Sequence, residues 1–156
     1  MKNIKRAGLL LLFMVIAFLP SLSAVFVKTG GWYAMVLDKP SWNPPNWIFG
    51  PVWTMLYILI GLAGYFAWTR GKREDRHMVF KVYGAQLLLN ALWTPLFFGL
   101  HWINWALADL MLMWFMILLN IGLFSRQSRL AAWLLIPYFL WVSFAGALNT
   151  VIMLLN

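Results

Sequence analysis

The sequence predicts an all-α integral membrane protein, a bundle of five transmembrane helices. Three observations lead there. Of 156 residues, 63% are hydrophobic and only 10% charged, whereas a soluble domain runs at about 45–50% apolar and about 25% charged. The apolar residues fall into five long runs, each near the roughly 20 residues a helix needs to cross a bilayer. The alternation of polar and apolar residues that marks a membrane strand is not seen. Disorder is excluded by the aromatic content of 18%, which includes 11 Trp. One domain accounts for the whole length.

The first helix is expected at about 6–27, behind Lys2, Lys5 and Arg6. This start, followed by Pro20-Ser21-Leu22-Ser23-Ala24, also has the form of a secretory signal with a small-residue cleavage site. The run is long enough to span uncleaved, which is the expected reading. The second helix covers about 46–69. Between the two lies 28–45, rich in Gly, Pro and Trp. Long loops inside compact folds are usually functional, so this one is expected to cover a ligand. The third helix, about 79–100, and the fourth, about 102–124, are separated by His101. Asp109 alone interrupts the fourth. The fifth covers about 129–155. Short connections make consecutive helices antiparallel neighbours. Pro20, Pro51, Pro95 and Pro137 are expected to bend four of the five and leave room for a cavity.

Basic residues give the direction. Lys2, Lys5, Arg6, Arg70, Lys72, Arg73, Arg76, Lys81, Arg126 and Arg129 fall on one side of a five-span bundle. Lys28 and Lys39 fall on the other. Ten against two predicts a cytoplasmic amino terminus, and the net charge of +8 is a topology signal. The charges flank spans and form no aromatic-basic groove, so nucleic acid is not an expected partner. Anionic lipid headgroups suit the basic side.

Few residues could carry chemistry. The chain has no Cys, hence no disulfide, thiolate nucleophile or Cys-based metal site. His77 and His101 are too far apart for a local metal motif, and no metal site is expected. There is no phosphate loop, Ser/His/Asp set or carboxylate pair. Asp109 is the one acid inside a span and reads either as a proton or ion relay or as a structural hydrogen-bond acceptor. No second intramembrane acid or histidine extends a relay, which favours the acceptor. Gln86 and Asn90 share a helix face at i, i+4. With Asn120 and Asn149 they read as interhelical hydrogen-bonding groups or as polar handles in a pocket.

The aromatics divide in two. Trp32, Trp42, Trp47, Trp102 and Trp105 fit an interfacial belt on the outer side. Trp53, Tyr57, Trp93, Phe97, Trp141 and Phe144 sit inside spans at i, i+4 or i, i+3. They suit either a pocket for a large, flat, apolar ligand or plain packing between helices.

The run Trp32-Tyr33, Lys39-Pro40-Ser41-Trp42-Asn43-Pro44-Pro45 and Phe49-Gly50-Pro51-Val52-Trp53-Thr54-Met55-Leu56-Tyr57 resembles the signature of the TspO/MBR family, the tryptophan-rich sensory and translocator proteins. Similar matches follow at Gln86-Leu87-Leu88-Leu89-Asn90, Phe97-Phe98-Gly99, Trp105-Ala106-Leu107-Ala108-Asp109-Leu110, Pro137-Tyr138, Trp141, Phe144-Ala145 and Leu148-Asn149. They run from about residue 30 to 150, and the set is specific where no single match is. The resemblance implies a five-helix, often dimeric membrane protein that binds porphyrins such as protoporphyrin IX, and in animal members cholesterol and synthetic drugs. It implies Trp53 and Trp141 as the pair flanking the porphyrin. Tyr33, Pro44, Tyr57, Asn90, Trp93, Phe97, Ala145 and Leu148 are implied as further pocket positions, beside Phe144 from the aromatic set.

Two departures stand out. The segment between Trp32-Tyr33 and Lys39-Pro40 is one residue longer than the usual pattern. No basic residue follows Arg129, so the carboxyl-terminal cholesterol motif of animal members is absent there. Leu62-Tyr65-Arg70 fits that loose motif on the second span. Ala17/Ser21 and Ala63/Ala67 are weak candidates for helix-pairing contacts between copies.

The expected function is a membrane receptor or translocator that binds porphyrins and related apolar ligands, with a role in tetrapyrrole regulation or stress sensing. No cofactor is required; the porphyrin is the ligand. The alternative is an enzyme that degrades bound porphyrin in light and oxygen, with Trp53 and Trp141 as catalytic residues. A transporter is less favoured, because no inverted repeat or paired broken helices are seen. A purely structural protein is the last alternative. The expected partners are an apolar small molecule, the lipid bilayer and a second copy of the chain. A bacterial inner membrane is the expected location.

Overall fold

The computed structural model describes residues 2–27 and 31–156. Lys28, counted above on the outer side, lies outside the described residues. Among the described residues the chain is helical with no strand.

Helix α1 (Lys2–Phe18) runs into a 3-10 stretch, Leu19–Val25. Pro20 causes the change: it has no N–H for the Ile16 carbonyl, and its ring crowds that turn. The chain tightens, and the Ser21 and Ser23 hydroxyls donate to the Phe18 and Pro20 carbonyls at 2.7 and 2.8 Å. The segment expected as one helix over 6–27 is thus α-helical only to Phe18. A short helix, α2 (Gly31–Met35), stands inside the first loop.

Helix α3 (Asn46–Arg70) carries Pro51 near its start, and α4 (Arg76–Thr94) widens into a π-turn, Pro95–Gly99. Pro95 removes the donor that would bond the Ala91 carbonyl. The wider turn closes instead with the Leu100 N–H on the Pro95 carbonyl at 2.9 Å. His101 then takes a positive φ of 56°. This left-handed conformation is uncommon outside glycine, and it reverses the chain into α5 (Ile103–Gln127). Ser128 is extended and ends α5. Its hydroxyl accepts the Ala131 N–H at 3.4 Å, capping α6 (Arg129–Leu134). Helix α7 (Ile136–Leu155) follows after a break at Leu135. Pro137 explains the break, since it has no N–H for the Trp133 carbonyl. The fifth helix expected at 129–155 is therefore two pieces.

In lipid the helices sort by residue size more than by polarity, because the tails are as apolar as Leu. On α3 the buried positions Leu56, Ile60, Ala63 and Ala67 share one face toward α1, where Phe13 and Ala17 are buried. Gly61 and Gly64 permit the close approach. A Cβ on Gly61 would lie 2.9 Å from Met14 Sδ and 3.2 Å from Met14 Cα. Ala17, Ala63 and Ala67 are fully buried inside the chain's own bundle. Their proposed contact with a second copy is corrected: they serve packing within the chain.

Helix α3 lies beside α1 and α6; α5 packs on α4, α6 and α7; α4 closes the ring against the 3-10 stretch. Near the basic end Phe13, Trp68, Phe80, Tyr83 and Phe124 form one aromatic cluster. Large side chains such as Leu11, Val15, Ile58, Leu88, Leu112, Phe115 and Leu140 face outward, as in a lipid-facing surface. Among the described residues four helical stretches are long and apolar enough to cross a membrane: Ile4–Val25, Asn46–Arg70, Ile103–Gln127 and Arg129–Leu155. Helix α4 falls short on composition, with Arg76, His77, Lys81, Gln86 and Asn90 in 19 residues.

Candidate functional site

A cavity of about 520 Å³ opens between the 3-10 stretch, the loop helix α2, the first half of α3, the last turns of α4 and its π-turn, α5 and α7. The bends place it there. Pro20 sets Phe18 and Ser21 on its wall, and the π-turn at Pro95 carries Phe97 and Phe98 into it. Its sides are aromatic. Trp53 stacks on Tyr57 with centroids 5.4 Å apart, and Trp93 lies nearly parallel to Phe97 at 5.0 Å. Trp141 sits 5.5 Å from Phe144 and 5.9 Å from Phe49. No charged side chain among the described residues lines it.

Its floor is a polar network in the buried core. The Tyr57 hydroxyl donates to Asn90 Oδ1 at 3.0 Å. Asn90 Nδ2 donates to the Tyr138 hydroxyl at 3.1 Å, and that hydroxyl lies 3.3 Å from Met113 Sδ. Asn90 thereby ties α3, α4 and α7 together.

Over the cavity the loop is pinned at several points. The Tyr33 hydroxyl donates to Asn43 Oδ1 at 2.5 Å. Burial pushes the Tyr33 phenol above its ordinary pKa, and the Asn43 hydrogen bond pulls the other way. The Lys39 ammonium donates to the Tyr33 and Leu37 carbonyls and lies 5.1 Å from the Tyr33 ring. Asn156 grips Asp38 twice, accepting its N–H and donating to its carbonyl, both at 3.0 Å. Trp32 stacks on His101 at 4.1 Å.

A model of the TspO/MBR family matches residues 9–155. The chain belongs to the TspO/MBR family. It is 42% identical over 157 residues to the Tryptophan-rich protein TspO of Archaeoglobus fulgidus, covering 100% of this chain and 99% of the relative. It is 37% identical over 149 residues to the Tryptophan-rich sensory protein of Cereibacter sphaeroides, covering 96% and 92%. To the Translocator protein of Homo sapiens it is 42% identical over 120 residues, covering 76% and 70%. The family and the apolar helices make this an integral membrane protein.

The structure brings most of the residues expected in a TspO/MBR pocket to this one cavity. Tyr33, Trp53, Tyr57, Asn90, Trp93, Phe97, Trp141, Phe144, Ala145 and Leu148 all line it. Pro44 does not; it sits just before α3, where its carbonyl accepts from Asn43 Nδ2 at 3.0 Å. Of the interface tryptophans, Trp42, Trp47, Trp102 and Trp105 are exposed. Trp133, not named from the sequence, is exposed as well.

Asp109 is buried outside the cavity lining, and its Oδ2 has no hydrogen-bond partner. No Trp indole serves it: the Trp114 N–H goes to Ser143 Oγ at 2.8 Å. Gln86 and Asn120 are buried with both amide atoms unpartnered. Sequence reasoning did not place Phe18, Ser21, Phe49, Phe98, Met113 or Tyr138 at a site, and gave Asn149 only as one of four amides open to a pocket role. Tyr138 completes the floor, and its signal was the Pro137-Tyr138 match. Asn149 lines the cavity beside Leu148, and its signal was its place among the intramembrane amides. Among the described residues no group of three His, Asp or Glu side chains could hold a metal ion.

Proposed function

We propose that this chain is a membrane receptor that holds porphyrins, with protoporphyrin IX as the reference ligand, in the aromatic cavity. The observation that carries the reading is the cavity itself. Its volume of about 520 Å³ lies within the roughly 300–1,000 Å³ of small-molecule sites. Trp53, Trp93 and Trp141 line it, and indole rings suit a flat ligand by offset-stacked or edge-to-face contact. The uncharged lining matches an apolar ring body. The name of one relative, Tryptophan-rich sensory protein, supports a sensory output, which we assign to tetrapyrrole regulation or stress sensing.

The proposed assembly has five spans. Helix α4 rises about 28 Å at about 1.5 Å per residue, close to the roughly 30 Å of hydrocarbon, and supplies the fifth. The ten-to-two distribution of Lys and Arg supports an amino terminus in the cytoplasm of a bacterial cell. We take the working unit to be a homodimer in the inner membrane.

The test is a spectrophotometric titration of the detergent-solubilised chain with protoporphyrin IX in the dark. Saturable binding, weakened in Trp53→Ala and Trp141→Ala, supports the reading. Unsaturable partitioning, identical in the variants, refutes it. A second reading is favoured by Trp53 and Trp141 lining the same cavity: illuminated porphyrin and oxygen would react there, degrading the ligand. It predicts loss of the porphyrin band faster than for free porphyrin, slowed in Trp53→Phe.

A further inference from the structure

The cavity is open on one side, and its lining shows where. Of the residues that line it, Ala24, Asn46, Gly50 and Thr54 are exposed, while every lining residue from α2, α4, its π-turn, α5 and α7 is buried or half-buried. The four exposed residues flank one seam, between the 3-10 stretch and the start of α3. Below this seam α1 and α3 are closely packed: Gly61 and Gly64 of α3 leave no room for a Cβ beside Met14 and Phe13. The last tie is Phe18 against Tyr57, with ring centroids 5.3 Å apart. Pro20 then diverts the chain, and the 3-10 stretch around it packs on α4. The seam parts above Phe18.

The chemistry of this mouth suits hydrocarbon. Gly50 has no side chain, and a Cβ there would meet nothing within 4 Å. The Thr54 hydroxyl donates to the Gly50 carbonyl at 2.9 Å and the Ser21 hydroxyl to the Phe18 carbonyl at 2.7 Å, so both are satisfied within their own turns. No charged side chain among the described residues lines the mouth or the space behind it. Asn46 marks the rim at the start of α3. Thr54 lies about 12 Å beyond it at about 1.5 Å per residue, at the depth of acyl chains. Leu19, Leu22, Val25, Met55 and Ile58 face outward around the seam, toward lipid. Left empty, a cavity of about 520 Å³ beside hydrocarbon would forfeit dispersion contacts along its wall. We propose that, when no ligand is bound, one acyl tail of a membrane lipid enters between the 3-10 stretch and α3 and fills the cavity, its headgroup staying at the rim beside Asn46. The tail exchanges one apolar surrounding for another, so no hydrophobic gain drives it in. Packing against side chains such as Trp53 and Phe97 holds it, weakly enough to yield to a ligand. This holds whatever ligand the cavity receives.

The test uses the full chain in phosphatidylcholine vesicles carrying a small share of lipid with a diazirine in mid-tail. Brief irradiation, digestion and mass spectrometry map where the tail inserts. Adducts are expected on cavity residues such as Trp53, Phe97 and Leu148, beside those on the outward-facing Leu88 and Leu112. Gly50→Trp fills the mouth and should abolish the cavity adducts while leaving those at Leu88 and Leu112. Thr54→Trp, in the same mouth, serves as the second variant should the first disturb folding, which a changed pattern at Leu88 and Leu112 would reveal. Adducts confined to outward-facing residues of the wild type overturn the proposal. So do cavity adducts that persist in both variants, because the tail then enters elsewhere. Neither result touches the receptor reading, which the protoporphyrin IX titration in detergent tests separately.

Discussion

Asn90→Leu removes the central member of the cavity floor at nearly constant volume. In the native chain its Oδ1 accepts from Tyr57 at 3.0 Å and its Nδ2 donates to Tyr138 at 3.1 Å. Leu removes both bonds. The Tyr138 hydroxyl keeps Met113 Sδ as an acceptor at 3.3 Å, whereas the Tyr57 hydroxyl, 7% exposed as a residue, is left with no partner. An orphaned buried hydroxyl costs about 1–3 kcal/mol in soluble proteins. Interhelical hydrogen bonds in membrane proteins average about 0.6 kcal/mol and reach about 1.7. A loss of about 1–3 kcal/mol is therefore expected for Asn90→Leu. Tyr57→Phe removes the orphaned group, so the double variant should be less damaged than the sum of the singles. The coupling should fall at about 0.6–1.7 kcal/mol. Reversible denaturation of the four proteins in mixed micelles measures it. Additivity within about 0.3 kcal/mol would refute the claim that this bond ties α3 to α4.

Gly61→Leu drives side-chain atoms into Met14, whose backbone Cα lies 3.2 Å from the new Cβ; overpacking should cost about 1–3 kcal/mol in the same assay. Gly8→Ala, with nothing within 4 Å, should cost far less. Asn156→Ala removes both bonds to Asp38 and frees the loop; hydrogen exchange at the Asp38 amide should quicken and ligand release should rise severalfold. The Tyr33 phenol has its folded pKa raised above 10 by burial, so the pinned loop holds the proton more tightly than an open one. Its contribution is fully present below about pH 10 and is lost as pH rises through the folded value. Ligand exchange measured against pH should therefore accelerate above about pH 10 in the wild type, and Tyr33→Phe should remove the part of that rise due to this group.

Much of the helix plan was legible because long apolar runs punctuated by basic clusters have few other readings. The finer breaks were not. Pro20 and Pro137 announce a bend, but whether it becomes a 3-10 stretch or a gap between α6 and α7 depends on the local hydrogen bonds that form around it, such as those of the Ser21 and Ser23 hydroxyls to the Phe18 and Pro20 carbonyls. The small-residue pairs misled, since Ala63 and Ala67 look the same in sequence whether they meet α1 or a second copy. For the cavity, helical spacing put Trp53 with Tyr57 and Trp93 with Phe97, leaving pocket and packing as equal readings. Only the tertiary arrangement turns both pairs toward one space. The resemblance named Asn90, but its two partners, and the unpaired state of Asn149, come from helix register that no local pattern encodes.

Photo-oxidative footprinting tests the central claim most directly. The chain, loaded with one equivalent of protoporphyrin IX in micelles, is briefly illuminated in air, digested, and mapped for tryptophan oxidation by mass spectrometry. Reactive oxygen formed at the ring attacks the nearest indoles first. A porphyrin in the cavity should oxidise Trp53, Trp93 and Trp141 ahead of the exposed Trp47, Trp102, Trp105 and Trp133, and an excess of a competing cavity ligand should abolish that order. Oxidation that starts at the exposed residues and spares the cavity three would contradict the account.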